Sequence, residues 1–595
     1  MRSATASDFA WPNFGFFYRD VVARYADRVA FRYRCRGKTA FDEWSYERLG
    51  AEGSALASCI LSRGLKRGDR VIIWSENRPE WGAAYFALVA AGLVAVPVDV
   101  LLPADDVGRI VKAAEPAAVI ASRSMADRLP EALAGCAGQP SPAALLVVGL
   151  DGKPGAGTTG LSWTDAVAEG RVAAGGGAGA MPDPATIEPD TLASLIFTSG
   201  TTGKPKAVML AHRGIIANIA ASIEALPIDG NDVFVCVLPL HHTYPTTCTL
   251  LSPLAVGASV TICEKVIGKV IIDDARDTGG TVVIGVPILF DKLAQGLAQG
   301  IKAKGGALRA LVGFLLGLSR LGLGLGMPGI GRALLRSVRS KAGLGSIRLL
   351  VSGGGPLSAS TAMAFEELGF TIVQGYGMSE NGPLISTNRI GKLDHRSAGI
   401  AVTETLARIA EPDAEGVGEI QVRSPSLMKG YWRDPEETAR AFTEDGWLRT
   451  GDLGRIDGRG FIYITGRIKS LIVTAGGKNI YPEEIESRFD GSRVVKEILV
   501  VGKRAPGPEA AGAAEEVAAA IVPDLESIAA DRGPELASDL SSVSELVKEE
   551  VERVNRSLPL YKKISEFSLR ASEFEKTSSK KIKRYLYRTW ESAKL

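Results

Sequence analysis

SLIFTSGTTGKPKAVMLAHR, residues 194–213, decides how this chain is read. An apolar run, Leu195-Ile196-Phe197, gives way to six small hydroxyl or glycine residues, Thr198, Ser199, Gly200, Thr201, Thr202 and Gly203. Lys204 and Lys206 come next, and then a second apolar run. A strand that delivers a Ser/Thr/Gly loop with flanking lysines suits a polyphosphate. Glycines let backbone N–H groups approach the oxygens, hydroxyls add donors, and ammonium groups offset charge. The spacing is not that of a Walker A loop, because no Ser or Thr follows the Gly203–Lys204 pair. The competing reading is a merely flexible loop, and six consecutive small polar residues between two strand-like runs count against it.

The regions around this segment alternate short apolar strands with amphipathic helices. RVIIWSEN (70–77) reads as a strand, and PEWGAAYFALVAAGLVAVPVD (79–99) as a helix running into a second strand. That pattern predicts an α/β fold of mostly parallel sheets buried on both faces. Residues 171–185, rich in Gly, Ala and Pro, read as a connector leading to the phosphate loop. Near Arg467 the character changes. FIYITGRIKSLIVTAGG reads as two short strands broken at Ile468–Ser470, and charged helices alternate with strands beyond it. The expected domains are 1–465 and 466–595, consistent with a 595-residue chain too long for one core.

Bulk properties narrow the class. Apolar residues make up 46% and charged residues 23%, as in ordinary globular proteins, and a net charge of +2 gives no general pull toward nucleic acid. Six cysteines lie far apart without CxxC or Cys/His clusters, so they read as buried thiols rather than a disulfide frame or zinc site. Asp8 interrupts the N-terminal stretch, so no signal peptide is expected, and no uninterrupted apolar run reaches spanning length. A cytoplasmic enzyme is the expectation.

Five further motifs occur in order: PLHH (239–242), GYGMSE (375–380), TGD (450–452), GRIKSLIVTAGGKNIYPEEIE (466–486) and KTSSKKIKR (576–584). Together with SGTTGKPK they resemble the adenylate-forming enzymes, which include acyl-CoA synthetases, carrier-protein adenylation domains and luciferases. The resemblance implies a large N-terminal AMP-binding domain of mostly parallel sheets flanked by helices. A small mobile α+β C-terminal domain would swing about a hinge. It also implies a two-step reaction, in which a carboxylate attacks the α-phosphorus of ATP and a thiol, most often coenzyme A, then displaces AMP.

The same resemblance assigns roles. The phosphate loop, Thr198 to Lys204, would hold the triphosphate, and Glu380 would bind magnesium, a hard cation that wants oxygen ligands. Ser379 would touch the α-phosphate. Tyr376 would stack on adenine, with Gly353, Gly354, Gly355, Gln374, Gly375 and Gly377 around the base. Asp452 and Arg467 would hold the ribose. His242, in preference to His241, would wall the carboxylate site, and Lys478 and Asn479 would line the pantetheine tunnel. Lys581 would be the catalytic lysine of adenylation.

Two positions depart from the family pattern. The hinge aspartate is Ser470 here, and the glycine of the lysine loop is Lys580, which can compete with Lys581 as the functional ammonium.

Residues 301–341 carry eight Lys or Arg and no acid, interleaved with Leu, Val and Phe. An insertion here resembles long-chain fatty acyl-CoA synthetases. Both peripheral contact with an anionic membrane and a helical lid with outward arginines remain open. The leading reading is therefore a ligase that activates a medium- or long-chain fatty acid and transfers it to coenzyme A. An aryl or short-chain acid ligase, an acyl-AMP ligase loading a carrier protein, and a catalytically impaired nucleotide-binding scaffold stand beside it.

Overall fold

A computed structural model describes residues 9–34, 40–134, 145–154, 160–175, 181–198, 206–265, 267–473, 479–504, 515–576, 582–587 and 589–594. Two compact units emerge. One is drawn from Met1–Gly200, Lys204–Leu406 and Val422–Leu448, the other from Ala407–Gln421 and Arg449–Leu595.

The first unit is built on two large sheets. One has seven strands in the order Gly160–Ser162, Leu146–Gly149, Ala118–Ala121, Arg70–Trp74, Val94–Pro97, Leu192–Thr198 and Lys206–Ala211. Its strands run parallel except for the last pair, which is antiparallel. The other has nine strands, with a parallel centre formed by Thr371–Gly377, Leu349–Ser352, Val282–Gly285, Val233–Cys236, Ser259–Ile262 and Val29–Tyr33. Antiparallel strands close both of its edges.

Several parallel strands, such as Val94–Pro97, Ala118–Ala121 and Val282–Gly285, are buried at every residue, as expected where helices cover both faces. Helix Pro79–Ala90 starts on a proline, which needs no N–H partner there, and nearly all of it is buried. This explains why its sequence is apolar around most of its circumference. The supposed connector at 171–185 begins as helix, because Trp163–Ala173 continues through its first three residues.

The second unit holds a four-stranded sheet that includes Leu448–Ile456 and Ile462–Arg467, and a three-stranded sheet of Val495–Arg504, Glu515–Pro523 and Glu566–Leu569. Helix Leu540–Arg556 presents Val543, Val547, Val551 and Val554 to its core at helical spacing. The break read at 468–470 is a single 3₁₀ turn between Arg467 and the short strand Ile472–Val473. Cys59, Cys236, Cys248 and Cys263 are free and buried, while Cys35 and Cys136 lie outside the described residues.

His212, which opens helix His212–Ala225, is fully buried. Its Nδ1 accepts from the Phe14 N–H at 3.4 Å, and its Nε2 meets no polar partner among the described residues. Burial disfavours the imidazolium and pushes the pKa down from 6.5 to about 4. An unfolded histidine binds its proton near pH 6.5, so this group's contribution to stability is complete above that pH and drains away as pH falls toward 4. The loss is on the order of 3 kcal/mol. In denaturant titrations between pH 7 and 4, His212→Gln is expected to remove most of this slope. An unchanged slope would assign the acid sensitivity elsewhere.

Candidate functional site

In parallel α/β sheets, ligands collect where the chain leaves the carboxyl ends of strands. In the nine-stranded sheet, three such ends bring the predicted residues into view. Strand Val282–Gly285 leads to Pro287, Leu349–Ser352 to Gly353–Gly355, and Thr371–Gly377 to the 3₁₀ turn Ser379–Asn381.

Strand alternation sorts the GYG motif. Gln374 and Tyr376 share one face, while Gly375 and Gly377 share the other. A side chain at Gly377 would put its Cβ 2.2 Å from the Pro383 carbonyl, so the antiparallel return through Leu384–Thr387 requires glycine there. Gly354 has φ +79°, which likewise favours glycine, and a Cβ on Gly353 would run into the Tyr244 ring at 2.7 Å. Gln374 is held from both ends. Its amide donates to the His395 and Ser397 carbonyls, and its oxygen accepts from the Leu357 N–H.

Glu380 sits on the turn after this strand. The Tyr431 hydroxyl donates to its Oε1 at 2.8 Å, and its backbone carbonyl accepts from the Met428 N–H at 2.8 Å. Segment 428–432 reaches it because it runs beside strand Lys206–Ala211. Met209 N–H bonds the Gly430 carbonyl, Lys429 N–H the Met209 carbonyl, and Trp432 N–H the Ala207 carbonyl.

That strand is the return arm of the phosphate-loop hairpin, in which Thr198 and Lys206 form the last pair. Lys206 extends its ammonium 5.0 Å above the Tyr431 ring and ion-pairs with Glu437. Burial and the adjacent Glu380 push the Tyr431 pKa up, so the phenol remains a donor, while Lys206 holds the Glu437 carboxyl below its ordinary range. The loop itself, Ser199 to Lys204, lies outside the described residues, and its base is Thr198. Sequence reading passed over Tyr431 and Glu437. The only signal was the aromatic and acidic run GYWRDPEE at 430–437.

PLHH enters the same region. Thr243 Oγ1 and Ser379 Oγ are 3.3 Å apart, so the residue after His242 meets the residue before Glu380. His242 is half-buried and precedes a six-residue π-helical turn, Thr246–Leu251. Single π turns of this kind recur at functional sites. The two rings of His241 and His242 sit 4.1 Å apart between centroids. His241, the less favoured of the pair in the sequence, faces an acid, with Nε2 3.4 Å from Asp99 Oδ2.

Behind Gly375 and Tyr244 lies a small cavity of roughly 20 Å³, room for about one water. Leu226, Ile228, Phe234, Cys248, Ile284 and Val351 give it an apolar wall. The Tyr244 hydroxyl reaches the Val351 carbonyl at 3.4 Å, and burial pushes the Cys248 thiol up to about 12, which keeps it neutral.

In the second unit, Asp452 and Arg467 face each other across neighbouring antiparallel strands. The guanidinium Nε lies 2.8 Å from the carboxylate, and the aspartate is buried while the arginine is exposed. Asn479 is exposed on strand Asn479–Ile480. Lys478, Lys580 and Lys581 lie outside the described residues. The flanks of the lysine loop are anchored. Lys576 and Ile582 form an antiparallel bridge, and the Lys576 ammonium pairs with Glu497 and Glu573.

No cluster of three His, Cys, Asp or Glu occurs among the described residues. The carboxylate that a cation at this turn would meet is that of Glu380, and the Ser379 and Thr243 hydroxyls lie nearby. That donor set suits a hard divalent ion completed by phosphate oxygens and water.

Comparison with known proteins bears on this geometry. The sequence profile of the family described as AMP-binding enzyme matches residues 18–432. The chain is 31% identical over 471 residues to the long-chain-fatty-acid–CoA ligase FadD15 of Mycobacterium bovis, covering 76% of this chain and 74% of that protein. It is 28% identical to the peroxisomal long chain acyl-CoA synthetase 7 of Arabidopsis thaliana, covering 81% and 70%. Among solved structures, ATP-bound MatB from Rhodopseudomonas palustris superposes with TM-score 0.72 at 26% identity, covering 97% of this chain and 98% of that one. The anthranilate CoA ligase AuaEII shares the fold, with TM-score 0.74 at 20% identity over 99% of both chains.

Proposed function

The chain belongs to the AMP-binding enzyme family, and from that premise we propose that it activates a medium- or long-chain fatty acid with ATP and transfers it to coenzyme A. The observation that carries the reading is a juxtaposition at one sheet edge. Glu380, bonded by Tyr431 beside the phosphate-loop hairpin, stands a few residues from Gly375, which walls an apolar cavity. A polar end and an apolar end are what activation of an acyl carboxylate requires. Relatives named long-chain-fatty-acid–CoA ligases support the acid and the acceptor, and the ATP-bound MatB structure supports the nucleotide.

The work is divided among these residues. Thr198 and Lys206 set the hairpin that carries the triphosphate loop, and Tyr376 offers a ring to the base. Ser379 and Thr243 direct hydroxyls toward the reacting phosphate, and the half-buried His242 excludes water from the carboxylate. A divalent ion at Glu380 would neutralise polyphosphate charge. Tyr431 holds that carboxylate in one orientation. Asp452 supplies a buried acceptor for sugar hydroxyls, oriented by Arg467.

The cavity admits no acyl chain until its wall moves, and Tyr244, which rests against Gly353, is the side chain whose rotation would open it. Cys248→Phe fills the same space. It is expected to lower kcat/KM for C12–C18 acids by about tenfold or more and leave short acids nearly unchanged. Equal losses at every chain length would place the acyl chain elsewhere.

Pyrophosphate release from ATP–magnesium, measured across acetate, benzoate and C6–C18 acids with and without coenzyme A, tests the whole reading. Release that peaks with long acids and turns over only with coenzyme A is expected. Release without thioester formation would indicate a carrier-protein acceptor. No release with any acid would leave a nucleotide-binding scaffold.

A further inference from the structure

Among the described residues, one helix, Gly306–Gly324, is long and apolar enough to cross a bilayer, yet only 17% of its apolar window is buried. Leu311, Phe314, Leu321 and Leu325 are each more than half exposed, and Leu308 and Met327 extend the same surface. At helical spacing Phe314, Leu321 and Leu325 fall on one stripe, with Leu311 at its border. The inward side is held by Val312, Ser319 and Gly322.

A soluble helix normally turns such leucines toward a core. Here three leucines and a phenylalanine, Leu311, Phe314, Leu321 and Leu325, stand more than half exposed instead.

The helix is built to lie on a surface rather than to cross one. Both of its ends return to the same unit. Helix Pro287–Lys302 precedes it, and Gly329–Leu334 folds back so closely that a Cβ on Gly331 would sit 2.1 Å from Ser319 Oγ. In its last turns Arg320 makes a two-pronged pair with Glu367 at 2.7 and 2.9 Å, which ties the helix to the body of the unit.

Charge selects the partner. Residues 301–341 contain eight cations and no acid. Arg320 is paired, and Arg332 and Arg339 are bonded to backbone carbonyls. Lys302, Lys304, Arg309, Arg336 and Lys341 make no ion pair among the described residues. Exposed apolar side chains on a segment that also carries unpaired cations match the acyl region and headgroups of an anionic bilayer. A second copy of the chain is a poor occupant, because it would bring the same cations into opposition.

We propose that this face docks the protein on anionic lipid, with Gly306–Gly324 lying in the plane of the interface and Leu311, Phe314, Leu321 and Leu325 inserted. The inference does not depend on the acid that the enzyme activates.

Flotation of the full chain with vesicles of phosphatidylcholine alone, or mixed with phosphatidylglycerol, tests it without ATP or coenzyme A. Wild type is expected to float with the mixed vesicles, less with phosphatidylcholine alone and less at high salt. A Leu311→Ser, Phe314→Ser, Leu321→Ser variant is expected to lose about tenfold or more of this partition. Its turnover of a water-soluble short acid should be unchanged, which shows that it folds. Lys302→Gln with Lys304→Gln and Arg309→Gln should weaken binding to the anionic vesicles only. No flotation of wild type, or equal flotation of the apolar variant, would overturn the proposal. So would a concentration-dependent dimer that the apolar variant abolishes in the absence of vesicle binding.

Discussion

Glu380→Gln is expected to lower acid-dependent pyrophosphate release by about 10²–10³-fold while leaving the thermal midpoint of the protein nearly unchanged. Glutamine keeps the shape of the side chain, and its oxygen can still accept from the Tyr431 hydroxyl, so the local packing survives. What disappears is the formal charge. Glu380 is the carboxylate on the turn that follows the GYGMSE strand, and no group of three His, Cys, Asp or Glu among the described residues offers a divalent ion another site. Tyr431→Phe separates charge from orientation. It leaves the carboxylate and removes one charge-assisted hydrogen bond, worth about 1.5–3 kcal/mol. A loss of roughly ten- to a hundredfold is expected for that variant. If Glu380→Gln stayed within a few-fold of wild type at saturating magnesium, the metal would have to be held by other residues.

The second large effect is a split between half-reactions. Lys581→Ala is expected to slow adenylation by about 10²–10³-fold and to spare thioester formation from supplied acyl-adenylate. An ammonium that meets developing phosphate charge matters in the first step alone. Lys580→Ala should change neither step by more than a few-fold. The loop that carries both is closed at its base by the Lys576–Ile582 bridge and by the bond from Lys583 N–H to the Glu575 carbonyl. The opposite ranking would transfer the role to Lys580. Indifference to both substitutions would leave 576–588 as a solvated basic segment.

Much of this architecture is legible in the amino-acid sequence, for identifiable reasons. RVIIWSEN and the helix after it are strand and helix because apolar runs of those lengths have few other ways to be buried, and the molecule places Arg70–Trp74 and Pro79–Ala90 there. The 3₁₀ turn at Ile468–Ser470 sits where two short apolar runs are interrupted. The partners of the motifs are not legible. Tyr431 reaches Glu380 across 51 residues because segment 428–432 runs beside the hairpin strand, and nothing local in GYWRD announces that. His241 likewise meets Asp99, which follows a strand of the other large sheet, and nothing local in PLHH announces that. Apolar periodicity does not show which side of Gly306–Gly324 is covered, because apolar residues occupy both its inward and outward stripes. The helical start of the 171–185 segment is hidden by its Gly/Ala composition, which suits a loop and a helix end equally.

The pairing of Asp452 with Arg467 has a consequence for any rotation at Ile468–Ser470. Their strands are in register up to Arg467, and the turn begins at the next residue. A pivot there leaves the carboxylate and its guanidinium clasped and moves only residues beyond the turn, Asn479 among them. The clasp then stands on the fixed side of the pivot, and its strength adds nothing to the cost of turning.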